Sequence, residues 1–140
     1  MIIFFEFIIS SFKKFDSSYF RKIIYFDLIL SLPEINTKFL DDIEMLEPYG
    51  VNNPEPKFIL KNVQIDFAKI IKEKHVLINT RDNNDILIKG ICFNCVHNSL
   101  GQNLLNYKTK KFDLGCSIKK DVYQGSNKPQ MIIHDAILIN

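Results

Sequence analysis

Tryptophan is missing from this 140-residue chain, and cysteine and histidine are limited to three residues each. Three thiols, Cys92, Cys95 and Cys116, cannot all pair within one chain, and no secretory signal precedes them, so a cytoplasmic setting is expected. No apolar run is long enough to span a membrane. The opening MIIFFEFIIS is about half of the ~20 residues a span requires. It is interrupted by Glu6 and has neither the basic start nor the small-residue cleavage site of a signal peptide, so no membrane partner is expected. Proline is scarce as well, five in all, yet Pro48, Pro54 and Pro56 are crowded together. The net charge is only +2, but it is unevenly spread. Lys and Arg number five against nine Asp and Glu through residue 56, and thirteen against seven from residue 57 onward. Affinity for a polyanion therefore belongs to the second part.

What is present suffices for a core, since 46% of the residues are hydrophobic. Residues 1 to 16 read as a helix built for burial, with Ile2, Phe5, Ile9 and Phe12 on one face and further apolar residues around it. KIIYFDLILSL (22 to 32) is β-branched and aromatic and predicts a strand ended by Pro33. From an Asn36 or Thr37 cap, TKFLDDIEMLE places Phe39, Leu40, Ile43, Met45 and Leu46 at helical intervals and is stopped by Pro48. Its Asp41, Asp42 and Glu44 read as a solvated helix face rather than metal ligands, because no histidine stands near them.

From Phe58 onward the spacing becomes strand-like. Val63, Ile65, Phe67 and Ile71 share one face of a first strand, HVLINT forms a second, and ILIKGICF a third after a polar RDNND turn. VHNSLGQNLLNYK reads as a helix despite Gly101. FDLGCSI and QMIIHDAILI follow as two more strands around a QGSNKP turn. Three strands, a helix and two strands is the order of an OB-fold, a five-stranded Greek-key barrel that binds oligonucleotides through strands 2 and 3 and the loops joining strands 1 to 2 and 4 to 5. The expected architecture is thus mainly β with α. A helix lies between strands 3 and 4, and a helix-strand-helix segment precedes the barrel. The boundaries are 1–21, a helical piece; 22–56, a strand-helix connector; and 57–140, the barrel.

The two binding loops carry the candidate interface. Lys69, Lys72, Lys74 and His75 lie at the first, and Lys119, Lys120, Tyr123 and Lys128 at the second. Lysines would neutralise phosphates and the tyrosine would stack on a base, so single-stranded DNA is the expected partner. Phe93 and Tyr107 read as core rather than stacking surfaces.

IEMLEPYGVNNPEPKFILKNVQI resembles LEPFGxGNPEPxF, the stretch that introduces the OB domain of the RecJ nucleases, single-strand-specific 5′ to 3′ DNA exonucleases of the DHH phosphoesterase superfamily. Lys74-His75-Val76 is similar to the family's Lys-His-Leu, GICFN to its strand ending in Phe-Gly, and DVYQGSNKPQMIIHD to its closing pattern. The resemblance covers about residues 22 to 140. It implies roles in DNA repair and recombination, and it makes residues 1–21 the remnant of a preceding DHH-associated domain. The connector residues Pro48, Gly50, Asn53, Pro54 and Pro56 then read as a stiff bracket, with Gly50 and Asn53 in turn conformations that most residues resist. Departures are Tyr49 for Phe, Asn52 and Asn94 for Gly, and Asp121 for Asn.

The resembled family cleaves DNA with Asp and His residues holding two Mn²⁺ or Mg²⁺ ions, and no Asp-His-His or Gly-Gly-His segment occurs here. No catalytic residue and no cofactor is therefore expected in this chain. Three readings follow: a single-strand-binding module of a RecJ-type exonuclease, an accessory subunit of a split nuclease whose DHH chain is separately encoded, or a decayed structural fragment without DNA binding. A zinc site formed by Cys92, Cys95, His97 and Cys116 has one pair at zinc spacing, but Cys92 and Cys116 fall in apolar strand positions. Core packing is the expectation, and no metal.

Overall fold

In the computed structural model the described residues are 23–82 and 84–139, apart from the side chain of Gln124. The helix expected at the N-terminus, and with it the 1–21 segment, lies outside them. Eight elements follow: β1 (Leu28–Leu30), α1 (Thr37–Glu44), β2 (Phe58–Ile71), β3 (His75–Arg81), β4 (Leu87–Cys92), α2 (Ser99–Leu105), β5 (Lys111–Asp121) and β6 (Lys128–Ile139). Strands β2 to β6 run in the order β2-β3-β4-β6-β5, and β5 returns to β2 to close a five-stranded barrel. All neighbours are antiparallel except β4 and β6. This is the OB-fold plan, with α2 between its third and fourth strands.

Closure depends on β2 serving two partners. Its first half, Phe58 to Gln64, pairs with β5, and its second half, Gln64 to Ile71, pairs with β3. The changeover needs bulges, which bend a strand and raise its twist. One falls between Leu60 and Val63, where Asn62 takes a left-handed φ of 57°. Asp113 on β5 holds it: one carboxylate oxygen accepts from the Asn62 N–H at 2.9 Å, and the other meets Lys61 Nζ at 2.7 Å. A second irregularity lies between Ile65 and Phe67. It overturns the expected two-residue period: Val63 and Ile65 are buried, but Phe67 is turned outward and 41% exposed.

The core fills the barrel with Leu60, Val76, Ile78, Phe112, Leu114 and Met131, all fully buried. Thr80 is also buried there, its hydroxyl donating to the Ile88 carbonyl at 3.0 Å, so its own polar group is satisfied. Helix α2 is capped by Asn98, whose side chain accepts from the Gly101 N–H, and it buries Leu104. Gly101 is tolerated because the helix lies against the Cys95 carbonyl, into which a methyl group would run. Val96, expected within this helix, is buried in the turn before it.

The strand expected over residues 22–32 is only Leu28–Leu30, parallel to β2. The register explains the shortening. Leu28 lies opposite Phe58 and Asp27 bonds to Lys57, so earlier residues would face Pro56 and Pro54, which restrict or lack the N–H a ladder needs. After β1, Leu32–Glu34 form a 3₁₀ turn and Asn36 caps α1 by accepting from the Phe39 N–H. Helix α1 ends at Glu44, so Met45 and Leu46 fall outside it and are exposed. Among the described residues no helix is long and apolar enough to cross a membrane.

The bracket between α1 and β2 differs from expectation in its mechanism. Gly50 and Asn53 exchange backbone hydrogen bonds across a tight turn, yet neither they nor Asn52 has a positive φ. Asn53 acts through its side chain instead, donating to the carbonyls of Leu46 at 2.6 Å and Pro48 at 3.0 Å. The Glu47–Pro48 peptide is cis. Tyr49 adds a hydroxyl that donates to the Ile43 carbonyl at the end of α1.

Two stability measurements test these assignments. Gly101→Ala should lower stability by about 1–3 kcal/mol through overpacking against the Cys95 carbonyl. Glu73→Gly should raise it by about 1 kcal/mol, because Glu73 occupies a left-handed φ of 61° in the β2–β3 turn. Urea midpoints that leave either variant level with the parent would contradict the corresponding geometry.

Candidate nucleic-acid interface

Alternation along β3 and β4 turns Val76, Ile78, Thr80, Ile88, Gly90 and Cys92 into the barrel and leaves Leu77, Asn79, Arg81, Leu87, Lys89 and Ile91 on its outer face. The two lysine-bearing hairpins stand at opposite ends of this face. The β2–β3 tip follows the pairing of Val76 with Cys92, whereas the parallel pairing of Lys89 with Gln130, carried back two residues, sets the start of β6 at Lys128 level with Leu87, the other end of β4. Their separation along β4 is about 17 Å, five residues of strand rise. A bound strand touching both hairpins would have to cross the face between them.

The eight candidate residues differ in their surroundings. Lys72 and Glu73 form the left-handed corner of the β2–β3 turn, which leaves the Lys72 side chain at its tip. Lys69 has its ammonium 5.9 Å from the centre of the Phe67 ring. Lys69, Lys72, Lys74 and Lys128 have no carboxylate partner among the described residues. Lys119 instead pairs with Glu55 at 3.0 Å, and Lys120 with Glu44 at 2.7 Å and Asp41 at 3.3 Å. Lys120 is thereby raised above its ordinary pKa, mainly by the hydrogen bond to Glu44. The acidic face of α1, expected to be simply solvated, thus anchors that helix to β5.

His75 is 9% exposed and works within the fold. Its Nδ1 accepts from the Asn94 N–H at 2.9 Å, and its ring meets Phe93 edge-on at 5.1 Å. Asn94 has a φ of 52°, which accounts for glycine in the resembled family at this position. Phe93 itself overturns the core expectation, being 52% exposed one residue past β4. Tyr107 is half-buried against the core. Tyr123 is 75% exposed at the β5–β6 hairpin.

Asp121 organises that second hairpin. Its carboxylate accepts from Lys89 Nζ at 2.6 Å and from the Tyr123 N–H at 3.1 Å, and its carbonyl accepts from the Ser126 hydroxyl. The hydrogen bond from Lys89 is the main cause of its lowered pKa. At Asp113 burial works upward, but Lys61 and the Asn62 N–H outweigh it and hold that carboxyl low as well.

The cysteines are buried as free thiols. Cys95 donates to the Cys92 carbonyl at 3.3 Å, Cys116 lies opposite Phe58 and Ile133, and His97 is exposed. Burial, followed by the neighbouring Cys95, pushes the Cys92 thiol upward, and burial raises Cys116 to about 12. Among the described residues no group of three or more His, Cys, Asp or Glu side chains could hold a metal ion.

Among protein families, the model described as RecJ OB domain matches residues 26–135. A search of curated proteins finds no match.

The lowered carboxyls give a pH test. A group whose folded pKa lies below its unfolded value, about 3.9 for Asp, adds stability that is complete well above the unfolded value and is lost as pH falls through the folded one. The urea midpoint should therefore drop as pH is taken from about 5 toward 3. Asp113→Asn should flatten that fall while lowering the midpoint at neutral pH. An acid branch identical to that of the parent would show that the Asp113 bridge contributes nothing.

Proposed function

Because the chain belongs to the RecJ OB domain family, we propose that it is the single-stranded-DNA-binding module of a RecJ-type exonuclease, and that hydrolysis is carried out by residues outside these 140. The observation that carries the binding reading is the set of four lysines without carboxylate partners among the described residues, Lys69, Lys72, Lys74 and Lys128, flanking the outer face of β3 and β4. Each can neutralise a phosphate and release condensed counterions without first breaking an ion pair. Lys119 and Lys120 would have to leave Glu55, Glu44 and Asp41, so their contribution is smaller. Tyr123 would offer a base its exposed ring at the second hairpin. His75 supports the first hairpin through Asn94 and Phe93 and leaves phosphate contact to its lysine neighbours.

A structural module without DNA affinity is the second reading. The pairing of Lys119 and Lys120 with the connector and α1 favours it, since those charges already have a task within the fold. A cytoplasmic setting belongs to the first reading, and a separately encoded DHH nuclease chain to the alternative in which this chain is the accessory subunit of a split nuclease.

Binding is tested by fluorescence anisotropy with a labelled oligothymidylate at low ionic strength. Weak binding that falls steeply with salt is expected, and Lys72→Glu with Lys74→Glu should weaken it and reduce the salt slope by about two. Absence of binding, or equal binding by the double variant, would favour the structural reading. The purified chain should not digest single-stranded DNA with Mn²⁺ or Mg²⁺. Digestion that tracks the protein through purification would place catalytic residues within it.

A further inference from the structure

The outer face carries two aromatic rings beside the lysines that have no carboxylate partner among the described residues. The irregularity between Ile65 and Phe67 turns Phe67 out of the barrel, and cross-strand pairing places it opposite Asn79, whose other neighbour is Lys89. Phe93 stands at the far corner of the same face, beyond Ile91 and Cys92, in a T-shaped contact with His75. Phe67 is 41% and Phe93 52% exposed, although each lies within a few residues of fully buried side chains. Neither ring is needed to fill the barrel, whose interior is occupied by the residues on the opposite parity.

Resting on the DNA-binding reading above, we infer that Phe67 and Phe93 are two further base-stacking surfaces of this domain besides Tyr123, each taking a different unpaired base of one strand. Four residues along β2 and two strands across the sheet separate them, about 16 Å on strand dimensions. That is several times the ~3.4 Å base step, so one base cannot serve both rings. Between them lie Leu77 and Ile91, paired across β3 and β4, which give the bases an apolar floor. The charge fits the same occupant. The Lys69 ammonium stands over the Phe67 ring, 5.9 Å from its centre, and Lys72 and Lys74 occupy the turn next to His75, so phosphates can be met on the hairpin side of the rings. Stacking needs an exposed base face, which a duplex withholds, and every base has one. The pair of rings therefore selects single strands without selecting sequence.

The absence of tryptophan gives a direct readout. Phe67→Trp and Phe93→Trp each create a single-tryptophan protein, and the emission of both should be quenched on addition of oligothymidylate at low salt. Phe67→Leu and Phe93→Leu should each weaken binding by about 5- to 150-fold with the salt slope unchanged. Circular dichroism checks that the fold is kept. Binding by anisotropy with unaltered tryptophan emission, or leucine variants that bind like the parent, would overturn the stacking assignment. If those outcomes appear while Lys72→Glu with Lys74→Glu still weakens binding, the DNA-binding reading survives and this inference alone fails. If no variant and no parent protein binds, both fail.

Discussion

The barrel exists because one strand, β2, is shared between two neighbours. Its N-terminal half completes a ladder with β5 and its C-terminal half a ladder with β3, so the sheet has no free edge along most of its length. Sharing requires the strand to turn sharply at Asn62, and the left-handed backbone there is stabilised by Asp113 reaching across from β5. The same carboxylate holds Lys61, so a charged group that could weaken a polyanion site is neutralised where the strand bends. The second irregularity, near Phe67, is equally tied to function in the proposed reading. Curving β2 toward β3 also changes which side of it faces water.

The connector costs the proposed DNA site some of its charge. Lys119 and Lys120 hold Glu55, Glu44 and Asp41 and fix α1 and the proline-rich turn against the barrel. Partly exposed pairs of this kind contribute little one at a time, but here they act with the Asn53 side chain and the Tyr49 hydroxyl on one short segment. A rigid connector sets the angle at which the barrel is carried, and rigidity comes from these bonds as much as from proline. Asp121 has a similar double effect at the second hairpin. It fixes the turn that presents Tyr123 and at the same time occupies Lys89 on the outer face.

Strand order and the identity of the fold were legible because periodicity reports burial, and β3 and β4 alternate with few interruptions. Phe67 was misplaced for the same reason. A bulge inserts one residue without any marker in composition, and the two-residue period then points to the wrong face. The strand expected from residue 22 failed because β-propensity does not supply a partner, and Pro54 and Pro56 deprived it of one. Gly50 and Asn53 were located correctly in a turn, but the left-handed backbone expected of them occurs elsewhere, at Asn62, Lys72, Glu73 and Asn94. Loop lysines could be counted from sequence. Which of them were already paired could not, since Lys120 and its partners are more than seventy residues apart.

Phe93 shows how an apolar residue at the end of a strand can be exposed without being idle. The core it would have joined is closed by Cys92 and Val76, both buried on the inner parity, and Cys95 is folded under the turn that follows. The ring is therefore left outside, where it shields His75. With its Nδ1 accepting from Asn94, the imidazole fastens the β4–α2 turn to the β2–β3 hairpin. A ring held in a T-shaped contact on one side and 52% exposed has its orientation restricted while much of its surface stays open. In the proposed reading, the histidine serves DNA binding by orienting the phenylalanine. The neighbouring lysines, which lie on a turn it helps to hold, supply the charge.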